Sequence, residues 1–463
     1  MIFGTHNILV INNLEHQIFK KITGMNVMNN NNNTIALIGL SWGDEGKGKM
    51  TDYFAQKADI VVRYNGGSNA GHTINANGIK YKFKLIPSGA PLEKEVIIAN
   101  GCVIDPKILL EEIENLKKLN KKVNLKLSST AHVIFPFHKT LDGLEETSKG
   151  EYKAGTTKRG IGPAYSDKAA RWGIRVFDLI HPEILKPKLE KLFKIRKELI
   201  RVYDPNWDAN FESIYNEYNS YGEQLKPYVI DTAYYLNKAV DSGKKIVFEA
   251  AQGNLLGIDH GMYPFGTSSN ANALGISAGT GIPPKKIKNV IGIIKAYTSR
   301  VGEGKFPTEL IDETAEKIRE QGHEYGTVTG RSRRVGWIDL FNIKYGIMIN
   351  GIDKIIITLL DALQGINPVK MCTAYKLEGK ILESWPIQHE IIEKCTPIYK
   401  EFKGWDEKTR EEWSEIAREG YDTLPDTMKT YIKAIQEELK TDIAMISIGP
   451  DREDTLVLND ALF

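Results

Sequence analysis

The chain has 463 residues, 41% of them hydrophobic, enough to bury one large core or two ordinary ones. Its 61 basic and 59 acidic residues leave a formal charge of +2, which gives no overall field for nucleic acid or a membrane surface, and no apolar run approaches the ~18 residues of a membrane span. Cys102, Cys372 and Cys395 are far apart and form no CxxC, so a disulfide framework is excluded and a reducing cytoplasm fits best.

Residues 1–33 end in an asparagine run and read as a mostly disordered extension. "TIALIGL" (34–40) is a short apolar run between turn residues, which predicts a buried strand. A glycine-rich loop follows, then the helical spacing of "KMTDYFAQKA", then a second strand, "DIVVRY" (59–64). Strand, loop, helix and strand within about thirty residues make a βαβ unit and hence a parallel sheet. Further strands are predicted at 245–250, 354–361 and 442–449, and helices at 183–201, 309–321 and 426–440. Together they predict one large α/β domain over 34–463, built on a central, mostly parallel sheet with a P-loop-like nucleotide site and helical insertions. Residues 175–245 read as a mainly helical subdomain.

The first loop, "GDEGKGKM", puts Gly43, Gly48 and Lys49 on the fixed positions of a Walker phosphate loop, but Met50 stands where that pattern needs a hydroxyl. Glycines 43, 46 and 48 let backbone N–H groups turn inward, and Lys47 and Lys49 add charge, which suits a polyphosphate. The acids Asp44 and Glu45 are out of place in a plain anion cradle. A carboxylate there can bind Mg²⁺ beside the phosphates, or act as a general base, and both roles fit Asp44.

"RYNGGSNAGHT" (63–73) leaves the second strand at the same carboxyl edge of the sheet, where open α/β sheets bind ligands, and brings Asn69 and His72 there. A third loop, "GTTKRGIGPAY" (155–165), and Arg171 suit phosphate or carboxylate recognition. "FEAAQGNLLGIDHG" (248–261) carries Gln252, and "GTVTGRSRR" (326–334) packs Arg331, Arg333 and Arg334 among small residues, as an anion trap would. Asp361 closes the strand "KIIITLLD"; a carboxylate there can accept both donors of a guanine edge, a pair that adenine lacks. "SIGPDR" (447–452) could wall the base pocket.

In order along the chain, "WGDEGKGK", "VVRYNGGSNAGHT", "LIPSG", "GTTKRGIGPAYSDK", "FEAAQGNLLGIDHG", "YPFGTSSN", "KAYTSRVGEGKFPTEL", "TGRSRRVGW" and "SIGPDR" resemble the adenylosuccinate synthetase family over residues 34–463. The resemblance implies a homodimeric, cytoplasmic GTP-dependent ligase that joins IMP to L-aspartate through 6-phosphoryl-IMP, with one Mg²⁺ per subunit. It implies that Asp44 is the catalytic base and, with the Gly71 carbonyl, a metal ligand, that His72 is the catalytic acid, and that Lys47 and Gln252 complete the catalytic set. GTP is implied at Gly43 to Lys49, Gly71, His72, Thr73, Arg333, Leu359, Leu360, Asp361, Ser447, Ile448 and Gly449. IMP is implied at Asp44, Glu45, Gly46, Lys47, Asn69, Ala70, Gly71, His72, Thr157, Gln252, Thr267 and Arg331, with Arg171 reaching across the dimer. Aspartate is implied at Thr327, Val328, Thr329, Gly330, Arg331, Ser332 and Arg333. Three positions depart from the family: Leu359 for a usual lysine, Val328 for a common threonine, and Lys158 for a common glycine.

A GTP-binding switch protein is the competing reading, suited by the loop and by Asp361. Met50 argues against it, because such proteins hold Mg²⁺ with a hydroxyl at that position. A nucleic-acid scaffold would need a basic face that this charge balance does not provide.

Overall fold

The computed structural model describes residues 33–76, 79–326 and 332–459, and the extension expected over 1–33 lies outside them except for its last residue, Asn33. Asn33, the last of the asparagine run, is buried, and its amide donates to the carbonyls of Val240 and Lys244 at 3.1 and 3.0 Å.

A ten-stranded sheet forms the centre. Across it lie Thr455–Val457, Ile443–Ser447, Lys354–Thr358, Asn289–Lys295, Thr34–Gly39, Ile246–Gly253, Ile60–Arg63, Glu95–Ile98, Leu125–Ser128 and Val229–Ile230. Neighbours run parallel, except that the edge strand Thr455–Val457 is antiparallel to Ile443–Ser447. Parallel pairing requires crossovers, which put helices on both faces of a sheet and bury both. The strands are accordingly apolar on both sides. Ile35, Leu37, Val61 and Val247 enter one apolar cluster, while Ala36, Ile38, Val62 and Phe248 enter another. Leu109 of helix Pro106–Lys118 and Leu185 of helix Pro182–Tyr203 help close the first. Ile343 of helix Leu340–Asn350 and Ile435 of helix Asp426–Leu439 help close the second.

Each strand predicted from the sequence is present, and four of them stop one to three residues early, where the chain turns into a loop at the carboxyl edge. Helix 183–201 is observed as Pro182–Tyr203 and helix 426–440 as Asp426–Leu439. The helix predicted over 309–321 is split. Glu309–Leu310 pairs as a strand with Val335 and Gly336, and the helix starts at Glu313 because Asp312 caps it, accepting from Ala315 N. Residues 175–245 carry the helices Val176–Leu179, Pro182–Tyr203, Phe211–Leu225 and Thr232–Asp241, and Val229–Ile230 joins the sheet edge.

Two smaller elements flank the carboxyl edge. The hairpin of His72–Ala76 with Ile79–Phe83 begins at His72. A second sheet of six strands includes Arg334–Asp339, which starts just after Arg333. Among the described residues no helix is long and apolar enough to cross a membrane.

Candidate active site

The loops that leave the carboxyl ends of the central strands meet around one cleft of about 1360 Å³. Its wall includes Gly43, Asp44, Gly46, Lys47, Gly48 and Lys49 from the first loop, and Asn69, Ala70, Gly71, His72 and Thr73 from the second. Thr157, Gln252, Thr267 and Arg333 join them. The structure thus gathers residues that are far apart in the chain but share one sheet edge.

The two carboxylates of the first loop have different fates. Glu45 is buried, and its Oε1 accepts from the amides of Ser41 and Gly43 at 3.2 and 2.8 Å. Its Oε2 pairs with Lys47 Nζ at 2.5 Å. Glu45 therefore staples the loop from within and holds the lysine ammonium. Asp44 turns outward, 38% exposed, and Arg333 Nε lies 3.1 Å from its Oδ2. The loop can pass this close to the neighbouring strand because Gly253 has no side chain; a Cβ there would meet Gly43 N at 2.3 Å. Met50, at the Walker hydroxyl position, is fully buried in the first apolar cluster.

His72 is buried, and its ring is gripped on both nitrogens. Nδ1 makes a short contact with Glu249 Oε1 and lies 3.2 Å from Ser88 Oγ, while Nε2 lies 3.3 Å from Arg63 Nη1. Burial works against the charge of Glu249, but the His72 ring, Ser88 and Arg63 outweigh it and hold the carboxyl at about 2. An ionised Glu249 accepts the Nδ1 proton and so orients the ring.

Gln252 has a φ of +60° and lines the cleft, yet Oε1 and Nε2 of its amide are buried without a partner. An orphaned buried amide of this kind is one a polar ligand would satisfy. Asn69 Nδ2 lies 3.4 Å from Thr267 Oγ1. The loop carrying Thr157 hangs from helix Pro136–Ser148: Glu146 accepts from the amides of Ala154, Gly155 and Thr156, and Asp142 from Gly160 N and Thr156 Oγ1. Lys158 adopts a φ of +54°, the conformation in which a glycine is unstrained.

The base-reading candidates are not part of this wall and gather beyond Lys49. The side chains of Leu360 and Ile448 enter the second apolar cluster, and Leu359 packs against it. Leu359 N donates to Ser447 O at 3.0 Å. Burial pushes the Asp361 carboxyl up from its usual range, and its Oδ1 is buried without a partner. Arg171 is exposed and outside the cleft wall, at a φ of +66° after helix Ile161–Ala170. Thr327, Val328, Thr329, Gly330 and Arg331 lie outside the described residues; Ser332 is exposed.

Sequence reasoning missed Arg63, Ser88, Glu249, Asp142, Glu146 and Glu324. Arg63 and Glu249 carried a signal, since each is a single charge inside an apolar strand run, where a charge is buried only with a partner. Asp142 and Glu146 sit on an ordinary amphipathic helix and carried none.

The adenylosuccinate synthetase family profile matches residues 36–456. Adenylosuccinate synthetases of Thermoanaerobacter sp. (strain X514) and Clostridium novyi (strain NT) are 48% and 46% identical to this chain, each over 92% of it and 99% of the relative. The fully ligated adenylosuccinate synthetase of Plasmodium falciparum superposes with a TM-score of 0.85 at 40% identity, covering 92% of this chain and 99% of that one. A match of that extent, on the fold and the loops just described, means that the chain belongs to the adenylosuccinate synthetase family, GTP-dependent ligases that join IMP to aspartate in AMP synthesis.

Proposed function

We propose that this chain makes adenylosuccinate, GDP and phosphate from IMP, L-aspartate and GTP through 6-phosphoryl-IMP. The observation that carries the reading is that Asp44 and His72 line one cleft, with Asp44 on the glycine-rich loop that leads into helix Lys47–Ala55. Asp44 takes the N1 proton of IMP, so that the 6-oxygen attacks the γ-phosphorus of GTP and GDP leaves. His72, steadied by Glu249, stabilises the charge that develops on the transferring phosphoryl group. Lys47 moves from Glu45 to the phosphates. The aspartate amine then attacks C6 and expels phosphate.

Gln252, Asn69, Thr157, Thr267 and Arg331 hold IMP, and Arg171 serves the IMP site of a second copy, so the working unit is a homodimer. The exposure of Arg171 and of Trp172 beside it supports that reading. Residues 327–332 hold aspartate, with Arg331 as the bidentate partner of its carboxylate. Asp361 and Gly449 read guanine. A Mg²⁺ ion fits the residues present: Asp44 and Gly71 both line the cleft and offer a carboxylate and a carbonyl, and hard cations take oxygen donors. Bound there, it would neutralise phosphate charge. The cytosol is the proposed compartment, in keeping with three free, buried cysteines.

The test is a product assay. The protein is mixed with IMP, aspartate, Mg²⁺ and either GTP or ATP, and nucleotides are separated by chromatography, with Asp44→Asn alongside. Adenylosuccinate is expected with GTP, little with ATP and none from the variant. GTP hydrolysis without adenylosuccinate would sink the ligase reading and favour a switch protein.

A further inference from the structure

We infer that Lys49, the lysine at the Walker position, is a positioning residue for the guanine pocket and not a phosphate ligand. The inference rests on the proposed reading of GTP by Asp361, and assigns to that site the element that holds it in place.

An ammonium has three N–H donors. Those of Lys49 are all engaged: Nζ donates to Ser447 Oγ at 2.7 Å, to Gly449 O at 3.0 Å and to Asp454 O at 3.0 Å. Every acceptor lies on the segment 447–454, which leaves the strand Ile443–Ser447. None is left for a phosphate. Lys47, two residues earlier, is the contrasting case. Its Nζ is held by a glutamate of its own loop.

The same segment reaches the base reader. Ser447, whose hydroxyl accepts from Lys49, also accepts through its carbonyl from Leu359 N at 3.0 Å, two residues before Asp361. Ser447 thus links the phosphate-loop helix Lys47–Ala55 to the segment that carries the base-reading carboxylate. Gly449 has a φ of +81°, and a Cβ there would meet Asp454 Oδ2 at 2.6 Å, so the turn has no slack. Asp454 is tied in turn, by Asp451 N at 3.0 Å and by the hydroxyl of Ser414 at 2.7 Å. The positive charge of Lys49 faces Asp454, Asp361, Asp451 and Glu453. It therefore holds together a segment whose own acids repel one another.

The consequence is selective. A phosphate ligand acts on every nucleoside diphosphate alike. A strut behind the base reader acts on the difference between guanine and a base without the exocyclic amine. The experiment measures dissociation constants of GDP and IDP by calorimetry for the wild type, Lys49→Met and Ser447→Ala, with IMP affinity as the internal control. Because it reads binding, it does not depend on turnover, and a chain that bound GDP but made no adenylosuccinate would fail the ligase reading alone.

In the wild type GDP is expected to bind more tightly than IDP. Lys49→Met is expected to shrink that preference about tenfold, the effect of one lost buried polar contact, with IMP affinity unmoved. Ser447→Ala, which removes one of three acceptors, is expected to shrink it less, and it carries the test if Lys49→Met fails to fold. Equal weakening of GDP and IDP would make Lys49 a phosphate ligand and overturn the inference. An unchanged preference in both variants, or no preference in the wild type, would overturn it as well.

Discussion

Arg333 reaches Asp44 with Nε, 3.1 Å from Oδ2, and holds Glu324 Oε2 with Nη1 at 2.9 Å. One guanidinium thus bridges an acid on the cleft wall and an acid in the interior. Glu324 also accepts from Lys295 Nζ at 2.5 Å and from the Tyr297 hydroxyl at 2.6 Å. It is the anion shared by a buried lysine and a cleft arginine. Glu324→Ala leaves the Lys295 ammonium buried without its counter-charge, at a cost of about 3–5 kcal/mol in unfolding free energy. Urea denaturation measures this directly. An unchanged midpoint would mean that Lys295 finds another partner.

Asp44 sits at a φ of +57°, a region that asparagine also enters readily. Asp44→Asn therefore removes charge without disturbing the loop. Its ion pair with Arg333 is partly exposed, and such pairs contribute little to stability. The expected result is a fall in kcat of about 10²–10⁴ with unfolding free energy within about 0.5 kcal/mol of the wild type. Steady-state kinetics and a melt on the same preparation check both halves. A comparable loss of stability would reassign the residue to the fold.

Glu249 titrates at about 2 in the folded chain against an ordinary 4.5. A carboxyl whose folded value is depressed stabilises the native state above its unfolded value, and that contribution disappears as pH falls from 4.5 towards 2. Glu249→Gln is expected to be less stable near neutrality and to lose less on acidification across this window. Denaturation midpoints through the window give the two slopes. Parallel slopes would assign acid unfolding to other carboxylates.

Burial draws the Lys49 ammonium down to about 8, against the pull of Asp454, Asp361, Asp451 and Glu453. Above that pH the side chain loses its charge and one of its donors. The preference for GDP over IDP is expected to fall as pH rises through 8 and to be flat over the same range in Lys49→Met. A wild-type preference that ignores pH would show that the ammonium keeps its proton.

Much of this arrangement is legible in the sequence, for physical reasons. Ile35 to Ile38 form an unbroken apolar run because both faces of the strand are covered, and the turn residues on either side mark its ends. Gly43, Asp44, Asn69 and His72 stand out because loops at a sheet edge concentrate glycine with polar groups. What escaped notice depends on partners distant in the chain. Glu249 lies 177 residues from the histidine it orients, and no local pattern announces the pair. The strand Glu309–Leu310 was hidden for a similar reason, since its pairing with Val335 is a tertiary event laid over a helical spacing.

Met50 limits what a single exchange can do to this loop. Its side chain fills a space between sheet and helix, so a threonine in its place would carry a hydroxyl into the apolar cluster, away from any nucleotide. Restoring the Walker residue would therefore cost stability without creating a metal ligand. Converting one kind of phosphate loop into the other takes more than that single exchange, because the position itself points into the core.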